Sequence, residues 1–298
     1  MGVLKMKKIF ALLVSSLMMV SLVACAGGEE KENGNNNANV SETKENEITF
    51  QGFTAVDTPE CTVKITEIDP DDTWGYTIKT ELENKSQNTT YMFSVESAAV
   101  NGVECETLFA KEVAPGKKAN DGISLGTSTI EKNGITGFTD IEITMRIYDS
   151  SNIFAEDKLV ETFHIYPYGE EKATKFVRES QETDKVIVDN EYVTVIVTGY
   201  DKDNIWGYTA NLYLINKTDT EIMLSVNEAS VNGYMADPFY AKSVKAGKSA
   251  FSSISWSDTV LEENGITEVQ EIEFLLKVYD SNDWSKPEYF KQTVTLNP

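Results

Sequence analysis

From residue 61 onward the chain states one pattern twice, and this constrains its fold more than any total. Trp74-Gly75-Tyr76-Thr77 recurs as Trp206-Gly207-Tyr208-Thr209, Val100-Asn101-Gly102 as Val231-Asn232-Gly233, and Asn133-Gly134-Ile135-Thr136 as Asn264-Gly265-Ile266-Thr267. The offset is 132 residues before a deletion near Asn88 and 131 after it. Solenoid repeats run roughly 20–45 residues, so a period this long describes two complete domains of one fold. The copies also serve as a two-sequence comparison inside one chain. Positions kept in both are candidates for shared fold or function, and positions that differ cannot form a duplicated site.

The side-chain period is two. Trp74, Tyr76, Ile78, Thr80 and Leu82 alternate with Gly75, Thr77, Lys79, Glu81 and Glu83, which predicts a strand with one face on a core and one in water. Trp206, Tyr208, Ala210, Leu212 and Leu214 repeat that inward face. Ile141, Ile143, Met145 and Ile147, matched by Ile272, Phe274, Leu276 and Val278, predict a second core strand; Val63 with Ile65, and Val195 with Val197, predict a third. Asp69-Pro70-Asp71-Asp72, Asn101-Gly102, Pro115-Gly116 and Asp149-Ser150 punctuate the runs as turns. One short helix per copy is expected, Asp258 capping Thr259–Glu263 with Gly265 as the left-handed stop, and Ser128 with Gly134 in copy one. Seven or eight short strands in each copy match an antiparallel β-sandwich. The expected domains are residues 47–167 and 184–298, joined by a polar linker over 168–183.

The N-terminus reads as an address. Lys5, Lys7 and Lys8 precede an apolar run from Ile9 to Val20, and Leu22-Val23-Ala24-Cys25 follows. This looks like a lipoprotein signal over residues 1–24, with Cys25 as the lipid-bearing first residue of the mature chain. Such lipid would anchor the protein to the membrane on its extracellular face. Residues 25–46 are polar, with almost nothing to bury, and read as a disordered tether. The chain carries 48 acidic residues against 26 Lys and Arg, a net charge of −22. Arg146 and Arg178 are its only arginines. That balance excludes nucleic acid as a partner, because phosphate binding needs clustered cations.

These features together resemble extracellular lipoproteins of Gram-positive, low-GC bacteria (Firmicutes) that carry tandem immunoglobulin-like domains of unknown function. Asn84-Lys85, Val100-Asn101-Gly102, Gly116-Lys117, Asn133-Gly134-Ile135 and Ile141-Glu142, with their second-copy equivalents, carry the resemblance. It covers nearly all of residues 47–298. It implies an all-β chain of two tandem immunoglobulin-like antiparallel β-sandwiches and a surface-anchored, non-enzymatic pair. It supplies no catalytic residue.

Candidate sites are few. The one histidine, His164, alternates with Phe163 and Ile165 and is expected to point away from the core. Cys61 and Cys105 correspond to Val193 and Ala236. Their joint loss from copy two fits a disulfide unique to copy one, and two buried thiols are the rival. Asp69, Asp71 and Asp72 before Trp74, and Asp201 and Asp203 before Trp206, are weak calcium candidates; a hairpin turn explains the same residues. Trp74, Tyr76, Trp206 and Tyr208 would suit sugar stacking, but their phase predicts burial. Trp256 and Trp284 have no tryptophan partner in copy one and are the better candidates for ligand contact. Lys111 and Lys242, and Lys117 and Lys248, sit beside turns and read as edge-strand protection. The expectation is a lipid-anchored binding or spacer protein with neither catalysis nor cofactor. Its candidate partners are a cell-wall glycan or a surface protein; a transporter solute-binding lipoprotein is the more distant alternative.

Overall fold

Alternating apolar and polar residues in runs of up to twelve build the fold, and turn residues end each run. The computed structural model describes residues 48–298. The signal, Cys25 and the tether lie outside them. Copy one comprises β1 (Phe53–Asp57), β2 (Cys61–Asp72), β3 (Gly75–Asn84), β4 (Tyr91–Val100), β5 (Val103–Thr107), β6 (Ala110–Val113), β7 (Lys118–Gly126), α1 (Ser128–Lys132), β8 (Ile141–Asp149) and β9 (Leu159–Ile165). Copy two comprises β10 (Lys185–Asp189), β11 (Val193–Asp201), β12 (Tyr208–Asn216), β13 (Ile222–Val231), β14 (Tyr234–Met235), β15 (Ala241–Val244), β16 (Ser249–Trp256), α2 (Asp258–Glu263), β17 (Ile272–Asp280) and β18 (Phe290–Leu296).

In copy one, β1, β2, β3 and β7 form one layer; β4, β6, β8 and β9 form the other. The chain changes layer between β3 and β4, returns between β6 and β7 and crosses again between β7 and β8, while β3 pairs with β7 and β4 with β8. Those crossings are the Greek-key wiring of an immunoglobulin-like sandwich. Copy two repeats it, with β12 paired to β16 and β13 to β17. The chain is therefore all-β, two tandem immunoglobulin-like antiparallel β-sandwiches with one short helix each. Even the irregularities recur: a register shift between Thr54 and Val56 returns between Val186 and Val188. Strand β5 turns a corner, pairing with β4 and then with β7.

The cores follow the predicted period. Ile141, Ile143, Met145 and Ile147 are fully buried, as are Ile272, Phe274 and Val278. Asn101 and Gly102 both take positive φ, 51° and 80°, and Asn232 and Gly233 repeat this at 49° and 82°. These are the two left-handed positions of a type I′ hairpin turn. Asn84 and Asn216 are buried and tie the β3–β4 and β12–β13 connections. Asn216 Nδ2 donates to the carbonyls of Thr220, Val244 and Lys245, at 2.7, 2.9 and 3.0 Å. Asn84 Nδ2 donates to those of Thr89 and Val113, both at 2.8 Å. The Asn-Lys motif is thus fold chemistry, and its lysines reach back to Asp57 and Asp189.

Three expectations need correction. Trp74 and Trp206 are not core residues: they lie outside the strands, 80% and 73% exposed, while Tyr76 and Tyr208 begin the inward face. Asp258 and Ser128 are each the first residue of their helix, so Ser257 and Thr127 hold the cap positions; Gly265 and Gly134 do take the left-handed conformation. Cys61 and Cys105 are free thiols, not a disulfide. Cys61 pairs with Asn84 near the Tyr91 end of β4, where Tyr91 bonds Glu60. Cys105 pairs with Ala98, seven residues further along β4. At about 3.3 Å per residue that is roughly 23 Å of strand, far beyond the 4.4–6.8 Å a bridge allows.

Both sandwiches belong to one compact unit, and the linker is part of the reason. Phe176 packs against Tyr213 and Phe251 of copy two. Arg178 donates two hydrogen bonds to Asp184, at 2.6 and 2.8 Å, and lies over the Tyr213 ring. That pair holds the Asp184 carboxyl below its ordinary range. Ser249 N–H donates to Gly102 O, joining β16 to β5 in a short parallel contact.

Candidate functional site

The tetrapeptide shared by the copies sits at the tip of the β2–β3 hairpin and of the β11–β12 hairpin. Local side-chain bonds shape both tips. Asp69 Oδ1 accepts from Asp71 N–H and Asp72 Oδ1 from Trp74 N–H; Asp201 Oδ1 accepts from Asp203 N–H and Asn204 Oδ1 from Trp206 N–H. These turns throw each indole into solvent. Gly75 and Gly207, at φ 89° and 96°, then return the chain to the strand. Lys79 ties the first tip by pairing with Asp69 and Asp72, and its hydrogen bond holds the Asp72 carboxyl below its usual range. The counterpart of Lys79 is Asn211, so the second tip lacks this tie. The calcium candidates Asp69, Asp71, Asp201 and Asp203 are turn-forming residues. Among the described residues no group of three or more His, Cys, Asp or Glu side chains converges on a metal position.

The other two tryptophans divide. Trp256 is 1% exposed and packs near Phe274, which overturns its candidacy for ligand contact. It faces Tyr208 across the β12–β16 ladder and shares the inward phase of Ile254, so it occupies the core position that Leu125 fills in copy one. Its Nε1 has no hydrogen-bond partner among the described residues. Trp284 is 78% exposed, packs beside Tyr279 and donates Nε1–H to Ser281 O at 3.0 Å.

Where the sandwiches meet, a cleft of about 940 Å³ is lined by residues of both copies, Trp74 and Leu108 among them. Its floor carries an ion network. Lys245 donates to Glu96 at 2.7 Å and Glu221 at 2.8 Å; Lys242 donates to Glu104 at 3.0 Å, and Glu104 also accepts the Lys245 N–H at 2.6 Å. Burial would lower the Lys245 pKa, but its hydrogen bonds to Glu221 and Glu96 outweigh that and raise it. Burial, with Glu104 and Glu106 alongside, pushes the Cys105 thiol in the same cleft up to about 12, so it stays protonated and unreactive at neutral pH.

Lysines 242 and 248 are joint residues, which corrects their reading as edge protection. Lys248 donates to Glu142 at 2.5 Å across the joint. Lys111 instead pairs with Asp121 within copy one. His164 does point outward, but it is held: Nδ1 lies 2.6 Å from Asp140 Oδ1 and Nε2 lies 3.3 Å from Glu142 Oε2. Nothing in the residue spacing signals the joint network, because the pairs that join the two copies, Lys242–Glu104, Lys245–Glu96 and Lys248–Glu142, each span more than a hundred residues.

No protein-family model and no curated protein matches the sequence. Among solved structures the chain is similar to the crystal structure of red sea bream transglutaminase, at 10% identity and a TM-score of 0.22. The match covers 83% of this chain and 31% of that one, so the chain spans about a third of the enzyme's length. That structure is an enzyme's, which corrects the expectation of a non-enzymatic chain; that expectation goes no further. A likeness this slight carries no argument for transglutaminase chemistry. Among the described residues no helix is long and apolar enough to cross a membrane.

Proposed function

We propose that this protein is a lipoprotein anchored through Cys25 on the extracellular face of the membrane, and that it binds cell-wall glycan through its two tryptophan tips. The supporting observation is the exposure of Trp74 and Trp206 at matching turns of both copies. An indole carries about 150–250 Å² of surface. Leaving it in water forgoes roughly 2–3 kcal/mol of burial, yet both copies keep it. Flat aromatic faces stack on the C–H faces of sugars, and the neighbouring carboxylates of Asp71 and Asp203 can accept hydrogen bonds from hydroxyls. Two tips on one chain would add avidity on a polymeric ligand.

Sedimentation of the purified protein with insoluble cell-wall polysaccharide or peptidoglycan tests this. Trp74→Ala and Trp206→Ala should each weaken retention, and the double variant should weaken it about a hundred-fold through lost avidity. Undiminished retention of the double variant refutes the tips as the site. Separately, Cys25→Ala should release the protein from the membrane fraction; unchanged membrane association refutes the lipid anchor.

A further inference from the structure

Copy one shows what one end of this sandwich can hold. There the chain's own segment Thr174–Phe176 lies against the Asn101-Gly102 turn and Thr139. Thr174 N–H donates to Thr139 Oγ1 at 3.0 Å, and the two hydroxyls are 2.8 Å apart. Phe176 N–H donates to Asn101 O at 2.8 Å, and Lys175 passes over Gly102.

The asparagine framework of this end recurs in copy two, where Gln270 takes the place of Thr139. Asn101 Oδ1 accepts from Thr139 N–H and Asp140 N–H, and Asn101 Nδ2 donates to Gly137 O. Asn232 Oδ1 accepts from Gln270 N–H and Glu271 N–H, and Asn232 Nδ2 donates to Glu268 O. The Asn232 carbonyl is therefore held as the Asn101 carbonyl is. Among the described residues it receives no main-chain donor. A groove of about 660 Å³ lies here, lined by Asn232, Tyr234, Glu268, Gln270 and Glu271 among others.

The substitutions between the copies define what would suit the second groove. Gly137 is replaced by Glu268 and Asp140 by Glu271, so two carboxylates stand where copy one has one. Both are exposed, and neither has an ion-pair partner among the described residues. Buried Val103 is replaced by Tyr234, which is more than half exposed and offers an aromatic ring.

We propose that this groove binds an extended, cationic peptide segment of a partner protein, as copy one's end binds Thr174–Phe176. A main-chain N–H of the peptide would donate to Asn232 O. Its Lys or Arg side chains would face Glu268 and Glu271, and an apolar side chain would lie on Tyr234. The site is separate from the tryptophan tips.

A labelled peptide of sequence Lys172–Arg178, which carries three cationic side chains, is the probe, titrated by fluorescence anisotropy into the purified full chain. Saturable binding is expected below about 1 mM. Glu268→Lys with Glu271→Lys should weaken it about ten-fold or more, with unchanged thermal unfolding, and a scrambled peptide should bind about ten-fold more weakly. Tyr234→Ala should weaken it without charge change. The Trp74→Ala/Trp206→Ala variant should bind the peptide normally, so this proposal and the glycan reading fail separately. Absence of saturable binding, equal binding of the scrambled peptide, or indifference to the charge reversal overturns it. Competitive displacement by cell-wall polysaccharide assigns the groove to glycan, and dimerisation abolished by the charge reversal assigns it to a second copy; either result also overturns it.

Discussion

Replacing Asn216 by alanine should selectively destabilise copy two, and the size of the effect follows from its bonds. The substitution removes the donor that serves three carbonyls, of which the bond to Val244 O is fully buried. A buried carbonyl left without a donor costs about 1–3 kcal/mol, and the two half-buried ones lose about 0.5 kcal/mol each, for a total near 3 kcal/mol. The Oδ1 contacts from Thr218 are lost as well, but these sit near solvent. The natural assay is urea unfolding followed by tryptophan fluorescence. Trp256 is buried while Trp74, Trp206 and Trp284 are exposed, so the signal change reports mainly on the copy-two core. With a urea slope of about 1.5–2 kcal/mol/M, the midpoint should fall by roughly 1.5–2 M. Asn84→Ala, the equivalent change in copy one, should move far-UV circular dichroism more than fluorescence. An Asn216→Ala midpoint within about 0.2 M of the parent would refute the clamp.

Other outcomes follow from the same geometry. Gly207→Ala should be far more costly than Gly75→Ala: a Cβ at 207 would lie 2.1 Å from Trp256 O, whereas the nearest atom at 75 is Leu125 O at 3.9 Å. Gly75→Ala should then cost only the left-handed strain of about 1–2 kcal/mol, read by thermal melting. Without reductant, both Cys61 and Cys105 should be alkylated in the unfolded protein; in the native state Cys105 should react slowly, and a single disulfide-linked species by mass spectrometry contradicts this. Asp184 is held below its ordinary range by Arg178, so its stabilising effect is complete above its unfolded pKa of about 3.9 and is lost as pH falls through the folded value. Asp184→Asn should accordingly lower the melting temperature at neutral pH, and its gap from the parent should begin to close only as pH falls below about 3.9; a gap that does not narrow in acid rules the linkage out.

Much of the fold could be read residue by residue. The period-two faces placed Ile141, Ile143, Met145 and Ile147 inward because strand side chains alternate whatever the partner strand is. Turns at Asn101-Gly102 and stops at Gly134 and Gly265 were legible because positive φ is a local demand. The same alternation misplaces Trp74 and Trp206: period says which face a residue would take, not where the strand begins, and the Asx turns delay the two strands to Gly75 and Tyr208. A Leu-to-Trp difference between copies does not say which side of the strand it falls on, and the core of copy two accommodates the larger ring of Trp256. The two cysteines share an environment but not a neighbourhood, and joint loss from copy two cannot tell these apart.

Two sandwiches of one kind, their core faces and their hairpin turns follow from the sequence, since duplication and short-range periodicity are local properties of the chain. The tertiary structure alone decided that the copies share a joint, and that Lys242, Lys245 and Lys248 serve it. It also decided that copy one's end is filled by Thr174–Phe176 while the matching end of copy two presents a groove. Those facts depend on contacts between residues far apart in the chain, and no spacing rule records which distant side chains will meet.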